Sequence, residues 1–567
     1  MGRGFCSRLS CITDVIASVL GLVDTFHERW LAAHPFDASN FGLSGYDDRV
    51  PDDTEAGEAA RRAELESVLA DARRFEPSSL SDPNAVTLGC LVENVGQELR
   101  ELDARLIEHT VTAMPFSGPA VLLATAARTV VADEQAAADY TERLRRSGEW
   151  IDQQSERLRI GAGKGRLPVA PLVRQAIEWA EGVLGPAVPE ALAAPGSTDG
   201  WDPGAAWREK RDALAGEVVK PALARWVEML REFLPVARSA DQPGLVHLPG
   251  GEADYANCVQ SFTTLSLGPE EIHRIGLEEL QTLEERALEL GASLQLDSLA
   301  AIHQALRASS GSRPPGVAMV AATAAIRRAE ARAAEVFPEP LPPPCEVTAM
   351  PGVVASSGTP PHYTPPMLDG GRSGTFWFNL ERSTVGTGWD LEAVAFHETV
   401  PGHHLQLARI QKLDELPAMQ RQRALSVFAE GWALYAEQLA EEMGLYSDTE
   451  NLLGAVSASL ARAARLVVDT GLHALGWSRQ QALQFMVAHV PQPESFLANE
   501  IDRYIAIPGQ ALSYLTGKRE LLRLRDDASR HFGARFTLPG FHAVVLDSGS
   551  LPMPVLQDKI RRWADSA

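Results

Sequence analysis

The amino-acid sequence predicts a mainly α-helical protein with one small antiparallel β-sheet ahead of a histidine-rich helix. Most of the 567 residues lie in stretches rich in Ala, Leu, Glu and Arg, whose apolar residues recur every three or four positions. The segment 345–382 instead carries short apolar runs separated by Gly and Pro, a pattern typical of strands. Helical periodicity returns at Asp390 and continues almost to the end of the chain.

The helices predicted before the sheet follow one another with polar loops between them. They are expected at Glu55–Phe75, Glu98–Glu108, Ala120–Arg159, Leu172–Val183, Trp207–Val236, Pro269–Leu290, Asp297–Arg307 and Val317–Val336. Pro186–Gly204 is predicted to be a surface loop, and Pro338–Pro344 an extended connector. We therefore expect an N-terminal extension with a first helix at 1–20, a helical lobe at 21–340 and a second lobe at 341–567, the two lobes being interleaved as one unit.

Composition restricts the kinds of partner. The net charge of −23 argues against binding to nucleic acid or to an anionic membrane surface. The five cysteines are scattered and include no CxxC pair, which is typical of free thiols in a reducing compartment. The apolar run Val15–Val23 is too short to span a bilayer and fits one face of a helix. We expect a cytoplasmic protein without nucleic-acid or membrane partners, and the sequence leaves open whether it is a monomer or a homodimer.

The stretch Phe396–Gln406, FHETVPGHHLQ, begins with the His-Glu pair of a zinc-hydrolase helix. Such an enzyme needs three protein ligands, an open position for water and a carboxylate base. The usual second histidine, four residues after His397, is replaced by a proline, and His403 and His404 follow it. On a regular helix His403 would point about 240° away from His397, and His404 would lie about 10.5 Å further along the axis.

Pro401 and Gly402 offer a way to bring a second histidine back. Pro401 has no N–H, so the helical hydrogen bond to the carbonyl of His397 cannot form. Gly402 tolerates unusual backbone dihedral angles. We predict a two-residue bulge inside the helix, which would place His403 beside His397 as a second zinc ligand, with His404 as the alternative ligand.

Three carboxylates supply the remaining roles of the predicted zinc site. Glu430 lies in a following helical segment that can fold back beside the motif, and it is the predicted third ligand. Glu437 lies on the same helical face two turns later, where it would hold a ligand imidazole by its free N–H. Glu398 is the predicted base. The competing interpretation is that the histidines form a solvated or core-packed polar face without a metal.

One later segment carries a polar face on an apolar helix. Arg462, Arg465, Asp469 and His473 follow one another at spacings of 3, 4 and 4 residues. They form either a buried ion-pair network or part of the site. In the second case Asp469 would lie behind the ligands, and Arg465 or His473 would face the substrate.

Residues 500–514 predict a second wall of the site. Tyr504 and Tyr514 are candidates to donate a hydrogen bond to the developing oxyanion, although either could be a core residue with a satisfied hydroxyl. Arg503, with Gln510 nearby, could donate to that oxyanion or clamp a substrate carboxylate. Asn379, which leaves the predicted sheet before the motif helix, would bind the substrate backbone as an edge strand does.

Five segments in the same order resemble the bacterial family labelled domain of unknown function 885. They are FHETVPGHHLQ, FAEGWALYAEQLAEEMGLY, RAARLVVDTGLHALGWSRQQAL, EIDRYIAIPGQALSYLTG and FHAVVLDSGSLPMPVL. The resemblance runs from about Leu22 through Trp563. The family is similar in turn to the gluzincin clan of zinc metallopeptidases. It implies a two-lobed, mainly helical shell around a deep channel. Gly402–Leu405, GHHL, looks like the GHAL of thimet-oligopeptidase-like enzymes, which implies that His403 rather than His404 is the ligand.

The expected function is zinc-dependent hydrolysis of peptide or amide bonds, with one zinc ion held by His397, His403 and Glu430. A deep channel would favour short peptides, and an arginine inside it would favour carboxypeptidase or dipeptidase action. Two alternatives stay open: a metal-dependent enzyme acting on a non-peptide small molecule such as an amide-bearing compound, and a non-catalytic peptide-binding descendant. The presence of Glu398 favours an enzyme, because a site without catalysis does not need a base.

Overall fold

The computed structural model describes residues 18–185, 192–193, 201–309, 314–350, 361–366, 373–380 and 388–566. Several predictions fall outside these residues: most of the N-terminal extension, Cys6 and Cys11, and most of the loop Pro186–Gly204. The chain divides into two compact units, Met1–Asn257 and Cys258–Ala567. The second unit therefore begins well before the strand-like segment that starts at residue 345. It contains every residue predicted for the site.

The first unit is helical and packs around an aromatic and aliphatic core that includes Tyr140, Trp150 and Trp226. Its helices are α1 (Val19–Ala33), α2 (Pro35–Asn40), α3 (Glu55–Ala72), α4 (Asp82–Ala104), α5 (Ala120–Ala126), α6 (Glu134–Gly163), α7 (Ala170–Val183), α8 (Gly204–Leu214) and α9 (Lys220–Phe233), and α10 (Gly251–Thr263) runs across the boundary. The single helix predicted at Ala120–Arg159 is wrong. Asp133 starts a new helix there, because its side chain accepts a hydrogen bond from the N–H of Ala136.

The second unit is also mainly helical, which confirms the predicted fold class at this level. Before the sheet it contains α11 (Pro269–Ser293), α12 (Leu299–Ser309) and α13 (Pro315–Arg332). After the sheet come α14 (Leu391–Glu398), α15 (His403–Ile410), α16 (Ala418–Gln422), α17 (Ser426–Glu442), α18 (Thr449–His473), α19 (Arg479–His489), α20 (Glu494–Ala506), α21 (Ser513–Phe532), α22 (Leu538–Leu546) and α23 (Met553–Asp565).

Helix α18 is the central core helix of this unit. It has the length and apolar composition of a membrane-spanning helix. However, 72% of its apolar 18-residue stretch is buried inside the protein, as in the core helix of a globular protein. Its closest packing partner is α11, where a Cβ atom on Gly276 would lie only 2.7 Å from the side chain of Val467. A glycine at this point therefore lets the two helices approach closely.

The small sheet is mixed and not antiparallel as predicted. Its strands are β1 (Glu346–Ala349), β2 (His362–Thr364) and β3 (Thr375–Phe378), in the order β1-β3-β2. Strand β1 runs parallel to β3, and β2 runs antiparallel to it. Apolar runs identify strands but not their directions. The long connection between β1 and β3 contains β2 and lets the chain return to run in the same direction.

The motif helix is broken at the Pro-Gly pair. Helix α14 ends at Glu398 and α15 begins at His403, so two helices replace the bulge predicted inside one. Thr399 (φ −120°, ψ −108°) and Gly402 (φ −81°, ψ −131°) leave the helical region, and the Val400–Pro401 peptide bond is cis. An irregularity is predicted here from the sequence because Pro401 has no N–H. In the structure the helix does not merely bulge at this proline but ends before it.

Two hydrogen bonds hold the break in place. The N–H of Gly402 donates to the carbonyl oxygen of Phe396 at 3.0 Å, and the indole Nε1 of Trp432 in α17 donates to the carbonyl oxygen of Pro401 at 3.0 Å. A Cβ atom on Gly402 would lie 1.9 Å from the carbonyl oxygen of His397, closer than any real contact. Only glycine fits at this position without moving the backbone that carries the histidine.

Replacing Gly402 by alanine is expected to destabilise the protein by about 3 kcal/mol or more, because the new methyl group must push the backbone of His397 aside. The midpoint of urea-induced unfolding measures the effect. Gly316→Ala is the matched control, since a Cβ atom there meets open space. Its midpoint should stay close to that of the unchanged protein. Equal midpoints for the two variants would show that the break does not need a glycine.

Candidate metal centre

Three side chains from three helices converge behind the break. The ligand atoms of His397, His403 and Glu430 all lie within 4.8 Å of one another. Nε2 of His397 is 3.5 Å from Oε2 of Glu430, and Nε2 of His403 is 3.6 Å from the same oxygen. Zinc–nitrogen bonds of about 2.0–2.1 Å in a tetrahedron separate neighbouring ligand atoms by about 3.3 Å. These two spacings are close to what one zinc ion requires.

The three side chains of the cluster differ in their exposure to solvent. The His397 side chain is 6% exposed, that of His403 is 12% exposed, and that of Glu430 is 23% exposed. The two imidazole rings are nearly perpendicular, at 85°, with their centroids 4.8 Å apart. A catalytic zinc site uses three protein ligands and a fourth position that admits water or substrate, and the partial exposure of Glu430 is compatible with such access.

Glu437 orients the buried histidine. Its Oε1 lies 2.8 Å from Nδ1 of His397, which leaves Nε2 of that ring to face Glu430. Burial disfavours a charged imidazole, but the hydrogen bonds with Glu430 and Glu437 outweigh it and raise the pKa of His397 to about 9. Burial also opposes ionisation of Glu430, yet His397 and His403 hold the pKa of its carboxyl well below its usual range. The cluster thus stabilises positive charge at its centre.

The structure brings His403 into the cluster and turns His404 away from it. Nε2 of His404 lies 2.7 Å from the carbonyl oxygen of Pro343, and Nδ1 lies 3.0 Å from the hydroxyl of Tyr363. Both ring nitrogens are therefore engaged on the side of the sheet. Neighbouring residues of a helix point about 100° apart, so consecutive histidines cannot both face Glu430.

Glu398, the predicted base, is half-buried at the end of α14. The backbone N–H of Tyr363 in β2 donates to its Oε2 at 2.9 Å. The charge of Glu398 also contributes to the raised pKa of its neighbour His397, after the effects of burial, Glu430 and Glu437. The carboxylate is thus held by the sheet and lies within electrostatic reach of the candidate metal ligands.

Two arginines share one carboxylate in the second predicted wall. Oε2 of Glu500 accepts hydrogen bonds from Nη2 of Arg465, Nη2 of Arg503 and the hydroxyl of Tyr504, each at 2.9 Å. Burial opposes ionisation of Glu500, but the two guanidinium groups hold the pKa of its carboxyl far below its usual range. Arg503 also donates to the side chain of Gln510. The group therefore carries one net positive charge.

The two candidate tyrosines have different surroundings. Tyr504 is buried, and its hydroxyl donates to Glu500 and accepts from Nε of Arg465 at 3.1 Å. Tyr514 is half-buried, and the guanidinium carbon of Arg465 lies 4.6 Å from its ring centroid. Burial raises the pKa of Tyr514, and the carboxylate of Glu430 raises it further. Tyr514 is therefore within electrostatic reach of Glu430, whereas the hydroxyl of Tyr504 is committed to Glu500.

Three other predicted residues lie in fully buried positions. Asp469 accepts hydrogen bonds from the N–H of Gly509 at 3.1 and 3.2 Å, and Nε2 of His473 lies 3.1 Å from the backbone oxygen of Tyr504. Both fix the backbone that leads into α21. Asn379 follows β3, which is the central strand and not an edge, and its side chain is buried. Among the described residues, β2 forms the edge of the sheet on the side of Glu398.

Sequence reasoning missed two residues near the site. Lys518 lies four residues after Tyr514 and therefore on the same face of α21, a spacing that could have identified it. Tyr363 contacts both Glu398 and His404, but nothing in its short strand segment indicates this, because the contacts depend on how the sheet docks. The polar face of α18 did point to Arg462, whose Nη2 lies 3.6 Å from Oε1 of Glu437.

The fold is also found in two solved structures. One is a crystal structure described as that of a “putative lipoprotein” from Colwellia psychrerythraea, with 25% identity and a TM-score of 0.86, covering 98% of this chain and 99% of that one. The other is described as a “putative lipoprotein of unknown function” from Shewanella oneidensis, with 16% identity and a TM-score of 0.72, covering 95% and 99%. The second likeness shows the fold alone.

Sequence comparison identifies the family. No curated protein matches this chain. The family model described as “Bacterial protein of unknown function (DUF885)” matches residues 35–560, nearly the whole chain. The candidate metal centre, the sheet that holds Glu398 and the helices of the second wall all fall within that match. The chain therefore belongs to the DUF885 family of bacterial proteins.

Proposed function

We propose that this protein is a zinc-dependent hydrolase that cleaves peptide or amide bonds in short substrates, and that its fold is related to the gluzincin metallopeptidases. The observation that supports this most directly is the convergence of the ligand atoms of His397, His403 and Glu430 within 4.8 Å of one another, with the Glu398 carboxylate within electrostatic reach of His397. Two imidazoles and one carboxylate are a frequent ligand set of catalytic zinc in hydrolases. Zinc bound there would supply Lewis acidity, which activates water and polarises a carbonyl group.

Glu398 is the proposed general base and acid. It would accept a proton from the attacking water and then deliver it to the leaving amine. Before substrate binds, the N–H of Tyr363 donates a hydrogen bond to one of its oxygens. Glu437 keeps His397 in one orientation, which maintains the distance between the ligands and the base.

Tyr514 is the proposed donor to the oxyanion that develops on the substrate carbonyl. Its hydroxyl lies in the electrostatic field of Glu430, and the guanidinium of Arg465 packs over its ring. Tyr504 has a structural role instead. It fixes Glu500, which in turn positions Arg465.

The two arginines favour a substrate with a free carboxylate. Arg465 and Arg503 share Glu500, so one positive charge remains for an anionic ligand. The edge of β2 offers backbone groups for an extended substrate. Together these features favour carboxypeptidase or dipeptidase action on short peptides.

Metal content is the first test. We expect about one zinc ion per chain by elemental mass spectrometry after purification without chelators and dialysis against zinc. The variants His397→Ala, His403→Ala and Glu430→Ala should each lose it, because two ligands no longer hold zinc tightly. His404→Asn is the matched control, since His404 faces Pro343 and Tyr363, and it should keep the zinc.

Two results would contradict the metal site. One is a native protein that contains no zinc even after dialysis. The other is loss of zinc in His404→Asn with retention in His403→Ala, which would mean that the wrong histidine has been assigned.

Replacing Glu398 by glutamine is expected to lower turnover by about 100-fold or more while zinc stays bound, because the amide cannot accept the proton. The assay is a panel of dipeptides, longer peptides and N-acyl amino acids, each with a free or an amidated C-terminus. Amidation should lower kcat/KM if the arginine pair binds the carboxylate. Full activity in Glu398→Gln would remove this residue as the base. No hydrolysis by the zinc-loaded protein would favour the peptide-binding alternative.

The two tyrosines provide a paired prediction. Tyr514→Phe should lower kcat by about 10- to 100-fold with little change in KM or in unfolding midpoint, because it removes a donor used in the transition state. Tyr504→Phe should instead lower the unfolding midpoint, because it removes a donor to the buried Glu500. Steady-state kinetics and urea unfolding of both variants separate the two roles. The opposite pattern would exchange the assignments.

A further inference from the structure

A cavity lies beside Glu437, and the candidate metal ligands are not among the residues that line it. It has a volume of about 510 Å³, is partly open to solvent, and is lined by residues of α11, α17, α18 and the N-terminal half of α21 and by Tyr446. This volume falls in the range of sites for small ligands. Its walls combine apolar side chains, Leu283, Ala455 and Val456, with charged ones that include Glu437 and Lys518.

Most of the charged residues that line this cavity have an ion-pair partner. The pairs are Glu279 with Arg519, Glu441 with Arg286, and Glu442 with Arg525. Lys518 is the exception: within the described parts of the chain, no carboxylate lies within 4.0 Å of its ammonium group. Burial lowers the pKa of Lys518, whereas Glu437, Glu279 and Glu441 oppose that effect from longer range. Among the described residues, these glutamates act on the ammonium group only from a distance, and none forms a direct ion pair with it.

Glu437 presents the complementary group. Its side chain is only 5% exposed, and its Oε1 is used by His397. Its other oxygen, Oε2, is buried and has no hydrogen-bond partner among the described residues. A buried ionised oxygen without a donor is costly, so such groups mark places where a ligand or water binds. Among the described residues, the cavity thus offers a carboxylate oxygen of Glu437 that has no hydrogen-bond donor. It also offers the ammonium group of Lys518, which has no anion in direct contact.

We propose that this cavity binds a free amino acid in its zwitterionic form. The ammonium group of the ligand would donate to Oε2 of Glu437, and its carboxylate would pair with Lys518. An apolar side chain would pack against Leu283, Ala455 and Val456. A simple anion would be repelled by the surrounding glutamates, and a simple cation by Lys518, so a ligand that carries both charges fits better than either alone.

The site would be coupled to the candidate metal centre through one residue. Glu437 binds His397 with one oxygen and would bind the ligand with the other. Any change in its position or hydrogen bonding is therefore felt by a predicted metal ligand. By linkage, the amino acid and the metal would change each other's affinity by the same factor. Binding of the amino acid itself does not rest on the proposed hydrolysis.

The test is isothermal titration calorimetry of the full-length protein with L-leucine, both with zinc and after treatment with a chelator. Two probes carry only one of the charges: isoamylamine, which lacks the carboxylate, and 4-methylpentanoate, which lacks the ammonium group. We expect saturable leucine binding with and without zinc, at least tenfold tighter than either probe. Equal affinity for one of the probes, or absence of leucine binding at millimolar concentration, would overturn the proposal.

Variants locate the binding. Lys518→Met should weaken leucine binding about tenfold or more, and Ser459→Phe, which fills the cavity from α18, should abolish it. Circular dichroism and unfolding midpoints establish that both variants are folded. His403→Ala is the matched control: it should lose zinc but keep leucine binding in the chelator-treated protein. Leucine binding that survives both cavity variants, or that is lost in His403→Ala, would place the ligand elsewhere and overturn the proposal.

Discussion

The break between Glu398 and His403 is the constraint on which the rest of the candidate site depends. A continuous helix would carry the second histidine to the wrong face, as the helical geometry requires. Ending one helix and starting another lets the two imidazoles meet at nearly a right angle. The break is possible because residue 402 has no side chain and because Trp432 binds the carbonyl oxygen of Pro401. A local backbone feature thus decides which side chains can share one ion.

Helix α17 is the platform that joins the parts of the site. Glu430 faces the two histidines, Glu437 holds one of them from behind, and Trp432 between them fixes the break. Along the other side of this helix, α21 approaches so closely that Gly431 and Gly517 face each other. This contact brings Tyr514 and Lys518 toward the same region. One helix therefore connects the candidate ligands, the tyrosine wall and the cavity beside Glu437.

Much of this could be predicted from the sequence, and the remainder has identifiable physical reasons. The mainly helical fold followed from periodicity, and His397, Glu430 and Glu437 followed from their spacing. The choice of His403 over His404 came from the family resemblance, because the spacing alone left both histidines open. The direction of β1 did not, because alternation along a strand carries no information about its partner. The extent of the break was underestimated, since a proline indicates a missing hydrogen bond but not how far the chain then departs. The contact of Tyr363 with Glu398 depends on docking between distant segments.

The hydrogen bond between Tyr363 and Glu398 has a consequence for the resting state of the protein. One backbone N–H serves one strong acceptor at a time. A peptide that adds to the edge of β2 would need that same donor, so its arrival would displace the carboxylate. In the proposed mechanism the base would then be capped while no substrate is present and released as the substrate docks. Such competition would suppress the activation of water while no substrate is bound. It would also make proton transfer depend on correct binding of the substrate peptide.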